Sequence, residues 1–517
     1  VCAAGCKGPT PPGCWVHEES RNRTLVVLVP NVPGLWRAFT HANCVCNQIM
    51  AITNRVIGKV PVPTRDGLVR LRSMAKRVFS WIKPLEPWSD AMVVASFNDQ
   101  RKKVYQRAAE SLVDREFNKA DGRINAFIKA ELYNPKDKRN PDPRVIQART
   151  VRYNIKLGNY LRPLEHRILN MRSERGLRIF AKGQNAIERA AEIRSKFDAF
   201  PSTVCFSIDA SRWDKHVSRE VLEIEHSVYK RAFPGDPLLQ RMLDYQLLNR
   251  CSTRDGVRYL ANGRRMSGDL NTGLGNCVLM VLMVHAIMRL LKIPFEIYDD
   301  GDDCLLFVPR ECAALLRRSI SDAFLEFGQE IKLENEAVVP EQVVFCQSKM
   351  INTMVGWKMI RNWRKVMSHG TTGIKHWNNI KLVKPMLTAV GSCELALNRG
   401  VPILQAYALA LRRLGEGQRP KVLDVRAGLM IRTRYELRVS HDSLEAVVYG
   451  ARPLPISDDA RRMFAEVWGT PVWEQLSIEQ YLSTWYPDLG HYLVSSNDVD
   501  SKWREIGDVN NFLRDVY

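Results

Sequence analysis

Residues 299–304 read Asp299-Asp300-Gly301-Asp302-Asp303-Cys304 and put four carboxylates between two apolar stretches. Phe295-Glu296-Ile297-Tyr298 precedes them and Leu305-Leu306-Phe307-Val308 follows. Two β-prone runs joined through Asp300-Gly301 predict a hairpin whose tip carries paired acids. Asp302 and Asp303 then sit where divalent cations such as magnesium can be held. Gly-Asp-Asp alone is weak evidence, because surface turns are rich in Asp and Gly. Its force depends on what else the chain carries, and in what order.

With 517 residues the chain is too long for one simple core and suits two or three subdomains. Lys and Arg number 76 against 56 Asp and Glu, a net charge of +20, which points to a polyanionic partner, most often nucleic acid. The alternative is a basic surface serving solubility or membrane contact. The cysteines are scattered, and Cys205, Cys277, Cys304 and Cys312 lie in apolar runs. That fits buried thiols in a reducing compartment better than a disulfide framework. Cys2, Cys6, Cys14, His17, His41, Cys44 and Cys46 form an N-terminal cluster in which a zinc site is conceivable, although Cys44 and Cys46 are only two apart and no paired C-x2-C elements frame it. No signal peptide is visible and the first residue is Val, which fits a chain cut from a longer product.

Periodicity gives the outline of an α+β protein, strand-rich at its centre and helical at its flanks. Residues 65–120 should be mostly helical, and 121–165 reads as an extended, ordered loop. Residues 203–209 form a buried strand ending in a carboxylate. Val217, Val221, Ile224 and Val228 then recur at helical spacing. A helix over 272–291, the hairpin over 293–308, a helix over 311–327 and strands from Lys332 to Phe345 follow. From about 365 the chain is mainly helical, with proline breaks near 402, 420, 453–455 and 471. The apolar stretch from Cys277 to Met288 is interrupted by His285, closed by Arg289 and Lys292, and short for a bilayer. It reads as a buried helix, so no transmembrane segment is expected in this chain.

Three elements carry chemistry. The first is Asp209-Ala210-Ser211-Arg212-Trp213-Asp214. A carboxylate ending a buried strand is costly unless it is paired or holds a metal, and Asp209 could share two magnesium ions with Asp302. Asp214, at the following helix start, is suited to a sugar hydroxyl. The competing reading makes Asp209 a turn residue and Asp214 a helix cap. The second is the string from Met266 to Asn276, in which Thr272 and Asn276 share a helix face. A nucleotide sugar would partner those polar groups; the competing reading is a polar cap with tight glycine packing. The third is a run of Lys129, Lys136, Lys138, Arg139, Arg144, Arg149 and Arg152 among Pro135, Pro141 and Pro143, opposed by Glu131, Asp137 and Asp142. Such cations suit a triphosphate, whereas the competing reading is a solvated charged loop.

These elements occur in an order that resembles the RNA-dependent RNA polymerases of positive-strand plant viruses in the tombusvirus group, including carmovirus and umbravirus types. The resemblance rests on Phe127-Ile128-Lys129-Ala130-Glu131, Pro143-Arg144-Val145-Ile146-Gln147, Arg152-Tyr153-Asn154, Ile208-Asp209-Ala210-Ser211 and Asp214-Lys215-His216-Val217-Ser218. It continues through Glu225-His226, Arg265-Met266-Ser267-Gly268-Asp269, Asn271-Thr272, Gly275-Asn276, Gly301-Asp302-Asp303-Cys304 and Phe345-Cys346-Gln347. It is close over roughly 95–365 and looser outside. Asp299 and Asp300 stand where related sequences more often carry neutral residues, which leaves open which carboxylates meet the metals. Glu131-Leu132-Tyr133 likewise replaces a more basic run.

The resemblance implies a right-hand fold of fingers, palm and thumb with an antiparallel palm sheet. It divides the chain into 1–202 (N-terminal region and fingers), 203–345 (palm, with a fingers insertion around 230–262) and 346–517 (thumb and C-terminal region). It implies Asp209, Asp302 and Asp303 as catalytic metal ligands for Mg2+, with Mn2+ able to substitute. Asp214, Ser267, Thr272 and Asn276 would check the ribose 2′-hydroxyl. Arg144 would meet the triphosphate, supported by Lys129 and Arg149. Phe345 and Cys346 would support the nascent strand's end. Lys332 falls where the family has a proton-donating lysine, with Lys349 as a rival. The implied partners are template and product RNA, nucleoside triphosphates and a membrane-associated viral replication protein, at membrane-bound replication complexes in the host cytoplasm. A non-catalytic RNA-binding scaffold explains the charge but not the ordered carboxylates. A reverse transcriptase shares the acids but not the ribose-checking set.

Overall fold

The computed structural model describes residues 24–97, 99–134, 141–373, 377, 380–421, 430, 432–487, 493–495 and 505–506. Cys2, Cys6, Cys14, His17, Pro135, Lys136, Asp137, Lys138 and Arg139 lie outside them. Helices and antiparallel sheets are mixed, as expected for α+β.

The centre is a four-stranded antiparallel sheet in the order Ile331–Ala337, Thr203–Ala210, Asp303–Pro309, Glu296–Asp299. Side chains alternate between its faces. Val204, Phe206, Ile208, Leu306 and Val308 pack on the helices Arg219–Ala232, Thr272–Leu291 and Ala313–Leu325. Cys205, Leu305, Phe307 and Tyr298 face the other way, onto Ala190, Ile193, Phe345, Met350 and Met359. Both faces are therefore covered over most of their length, which explains the near-continuous apolar run of the Thr203–Ala210 strand. The Thr272–Leu291 helix has enough length and apolar character to cross a membrane, but most of it is buried in the core, each large apolar side chain contributing roughly 1.5–3 kcal/mol.

A second four-stranded sheet corrects the reading of 121–165 as a loop. Ile124–Ile128 pairs antiparallel with Val145–Ala148 and parallel with Leu248–Thr253, which pairs with Arg258–Asn262. The chain from Val151 to Leu169 is one helix, capped by the Thr150 hydroxyl. Short strands with a partner some 120 residues away leave little local signal, and the prolines and charges dominated the reading.

Between Lys332 and Phe345 there is one strand, Ile331–Ala337, followed by a short 3-10 turn rather than further strands. The hairpin Ser348–Thr353 with Gly356–Arg361 was not anticipated. Beyond it the helices Trp363–Gly370, Ile380–Leu397, Leu404–Leu414, Asp458–Trp468 and Val472–Thr484 form a separate core with Leu28, Val32 and Leu35.

Candidate active site

Sheet register brings the first acids together. Asp209 stands directly opposite Asp303, so both side chains lie on the face away from the packed helices. Asp302 is in the turn. Asp209 is half-buried, whereas Asp302 and Asp303 are exposed. Local desolvation, then the negative charges of Asp302, Asp300 and Asp209, push Asp303 up to about 6. Hard carboxylate oxygens of this kind suit Mg2+. As they stand, no group of three acid, histidine or cysteine side chains among the described residues is drawn together closely enough to hold a metal ion. Desolvation and the repulsion of like charges together account for the raised Asp303.

The hairpin tip is tightly specified. Gly301 has φ +107°, a conformation that side-chain-bearing residues rarely adopt. A Cβ there would lie 3.5 Å from the Asn276 Cβ, so the acid tip rests on the start of the Thr272–Leu291 helix. The Asp300 amide donates to the Asp303 carbonyl (2.9 Å) and the Gly301 amide to Asp299 Oδ1 (3.2 Å).

The two extra acids prove distinct from the tip pair. Asp299 is fully buried, and burial pushes its carboxyl well above the usual range. Asp300 is ion-paired to Lys182 (2.8 Å) and Arg189 (3.2 Å). The departure from neutral residues is thus matched by two cations from outside the hairpin.

Beside the tip, Ser267 Oγ donates to Asp214 Oδ2, and Asn276 Nδ2 donates to Asp214 Oδ1 at 3.3 Å. Three residues spread over 62 positions thus form one polar cluster. Burial raises the Asp214 carboxyl, the bonds from Ser267 and Asn276 and the charge of Arg265 oppose the rise, and Asp302 adds to it, so cluster and tip share one electrostatic neighbourhood. Thr272 is not in the cluster: its hydroxyl turns back to the carbonyls of Met266 (2.9 Å) and Asp269 (3.0 Å).

Underneath lies a network whose members the motifs contained but whose role they did not reveal. Arg265 donates from Nε to Asn276 Oδ1 (2.9 Å) and pairs with Glu225, both side chains being almost wholly buried. Burial alone would raise Glu225, but Arg265 holds it below the usual carboxylate range. Asn271, Gln246, His226 and Tyr229 complete the network. A Cβ on Gly275 would lie 2.3 Å from Glu225 Oε1, which is why glycine is required there. The sequence did hold a signal: Glu225 falls among the apolar positions Val221, Ile224 and Val228, where an acid needs a partner.

Arg149 is not offered to a ligand. Its side chain is fully buried, pairs with Asp269 (2.7 Å) and also donates to Asn249 and to the carbonyls of Gly122 and Tyr245. The expected triphosphate support is corrected to a positioning role, which fixes the 267–269 loop. Lys129, half-buried, and Arg144, exposed, by contrast converge on one acid, Glu131, at 3.3 and 3.1 Å. Arg55 and Arg212, missed in the sequence, both bond Asp142 beside them, and burial followed by the charges of Arg144 and Arg212 lowers Arg55.

Lys332 is opposite Asp209 on the other neighbouring strand, so it shares the face of the acids and is exposed. Lys349 instead donates to the Val467 carbonyl at 2.7 Å and packs on Trp468. Phe345 is buried against Tyr298, while Cys346 and Gln347 form a left-handed turn with Cys346 Sγ 3.4 Å from Asp300 Oδ2.

The site thus combines a central antiparallel sheet with paired acids at its hairpin tip, a polar cluster beside the tip, and partly exposed cations on the 129–144 segment. Residues 38–489 match the family described as viral RNA dependent RNA polymerase, and the chain belongs to that family. It is similar to proteins named RNA-directed RNA polymerase from several plant viruses. It is 31% identical over 486 residues to that of Tomato bushy stunt virus (strain Cherry), covering 92% of this chain and 57% of the relative. With Oat chlorotic stunt virus (isolate United Kingdom) the identity is 34% over 434 residues, covering 81% and 57%. With Red clover necrotic mosaic virus it is 31% over 497 residues, covering 91% and 63%. The chain therefore spans somewhat over half the length of these relatives.

Proposed function

We propose that the chain is an RNA-directed RNA polymerase that copies a positive-strand viral RNA by nucleotidyl transfer. The observation that carries this is the register of Asp209 against Asp303, with Asp302 in the adjoining turn and the Asp214, Ser267 and Asn276 cluster beside it. The 3′-hydroxyl of the growing strand attacks the α-phosphate of a nucleoside triphosphate, and pyrophosphate leaves. Asp209, Asp302 and Asp303 would hold Mg2+ or Mn2+, which when bound supplies charge stabilisation for the attacking and leaving oxygens. Asp214, with Ser267 and Asn276 fixing its oxygens, accepts a hydrogen bond from the ribose 2′-hydroxyl. Thr272 acts indirectly, by fastening the loop below them. Lys129 and Arg144 exchange Glu131 for the triphosphate. Lys332, on the acid face, is the candidate donor of a proton to the leaving pyrophosphate. The turn at Phe345 and Cys346 supports the nascent strand's end.

In this reading the central sheet, 203–345, is the palm. The sheet that joins 124–148 to 248–262 belongs to the fingers, within 1–202 and the insertion at 230–262, and 346–517 is the thumb and C-terminal region. RNA template and product are the polyanions matched by the +20 charge. A membrane-associated viral replication protein would bring the chain to membrane-bound complexes in the host cytoplasm.

The test is nucleotide incorporation on a short RNA template with Mg2+ or Mn2+, beside Asp302→Asn. Template-dependent product from the parent alone supports the reading. RNA binding without product from either protein favours the scaffold.

A further inference from the structure

The acid tip is held from below by groups that belong to neither strand of its hairpin. The segment 179–181 runs along the open edge of the Glu296–Asp299 strand, its Phe180 bridging Asp299, with hydrogen bonds from Asp299 N to Ile179 O (2.9 Å) and from Ala181 N to Asp299 O (2.8 Å). This delivers Lys182 beneath the turn. Its ammonium donates to the Asp300 carbonyl (3.0 Å) and to Asp300 Oδ1 (2.8 Å). Arg189, from the next helix, Ala186–Phe197, takes Asp300 Oδ2 at 3.2 Å. A Cβ on Gly301 would lie 4.0 Å from the Lys182 amine, so the cation sits directly against the backbone between Asp300 and Asp302.

The supporting loop is itself fastened. Tyr298 donates to Gln184 Oε1 (2.6 Å), the Ala186 amide donates to Glu436 (2.9 Å), and Arg438 pairs with Glu188. Asp299 and Cys277 also act on Lys182. Burial alone would lower the Lys182 amine, but Cys277, Asp300 and Asp299 together raise it, so it stays charged at neutral pH.

We propose that Lys182, with Arg189, is a positioning residue that keeps Asp300 out of the metal-holding set and fixes the turn, so that Asp302 and Asp303 alone face Asp209. Both Asp300 oxygens are taken by cations, whereas the two following acids remain open to solvent. Without Lys182, Asp300 is a fourth carboxylate, beside Asp209, Asp302 and Asp303, that can turn towards a divalent cation, whereas Asp299 stays buried. The inference rests on the polymerase reading for its effect on rate, but not for its effect on cation binding.

The experiment uses the full chain as parent, Lys182→Met, Lys182→Arg and the double variant Lys182→Met with Asp300→Asn. Mn2+ binding is measured by paramagnetic resonance, kcat and KM by nucleotide incorporation, and folding by thermal unfolding. Lys182→Met should bind Mn2+ at least threefold more tightly, because a cation is lost and Asp300 Oδ1 is freed while Arg189 keeps Oδ2. Its kcat should fall at least tenfold, with KM for the nucleotide within threefold of the parent. Lys182→Arg should keep most of the rate, and the double variant should return towards the parent in both binding and kcat. Parent-like Mn2+ binding and kcat in Lys182→Met would overturn the proposal. So would a rate loss that Asp300→Asn does not relieve and that tracks a lowered melting temperature. If the parent makes no product yet the Mn2+ shift and its reversal appear, the positioning role stands and the polymerase reading fails.

Discussion

The charged region beneath the acid tip and the one at Lys129 and Arg144 are built in opposite ways. Below it, Arg265, Glu225, Asn276, Asn271, Gln246 and His226 are buried and bonded to one another. At the rim, Lys129 is half-buried and Arg144 exposed, and the two share the single acid Glu131. The buried network has no room to adjust and orients Asn276, hence Asp214, to a fixed geometry. The rim makes ion pairs that water already weakens, so an incoming phosphate can replace Glu131 at little cost. In the proposed function, precision falls to the interior and capture to the surface.

The largest effect should come from breaking the interior. Arg265→Met leaves Glu225 buried and uncompensated, with an expected loss of about 3–5 kcal/mol in urea unfolding. A loss below about 1 kcal/mol would show that the network is not a structural keystone. Next is Asp214→Ala, which removes the acceptor while leaving Arg265 and Glu225 paired. Preference for ribo- over deoxyribonucleotides should fall at least tenfold in a still-active enzyme, read from the ratio of kcat/KM values. Unchanged discrimination would move ribose selection elsewhere.

Acid should loosen the interior before the rim. His226 is buried and His285 and His369 are half-buried, and desolvation lowers each to about 4. In the unfolded chain they bind protons near 6.5, so between about 6.5 and 4 the unfolded state holds more protons. The stability from keeping them neutral is complete above about 6.5 and is lost as pH falls through that window. Melting temperature should decline steadily from pH 7 to pH 5, and a flat profile would contradict the assignment. The smallest structural effect belongs to the rim. Arg144→Ala should cost less than about 1 kcal/mol in stability, yet raise KM for nucleotides severalfold and make it less dependent on salt. A lowered kcat at unchanged KM would place Arg144 in the chemistry rather than in capture.

The same division explains what could be read from the sequence. The Thr203–Ala210 strand, the Thr272–Leu291 helix and the acid hairpin were legible, because local periodicity and a short turn define them. Asp214, Ser267 and Asn276 were legible as motif residues, and their convergence followed. The parallel pairing of Ile124–Ile128 with Leu248–Thr253 was not, since nothing local specifies a distant partner. Arg149 shows the converse failure. A basic residue in a basic run reads as surface, and only its burial against Asp269 reveals a structural cation. Lys182 carried no signal at all, because its partner Asp300 is 118 residues away.

The most direct test of the central claim is single-nucleotide extension of an RNA primer–template by Asp209→Asn and Asp303→Asn, each beside the parent, across a range of Mn2+. The two residues face each other across the sheet. Either change should reduce the extension rate by roughly a thousandfold or more, as expected for loss of transition-state charge stabilisation, while RNA binding and melting temperature are retained. Near-parental extension by both variants would contradict the account.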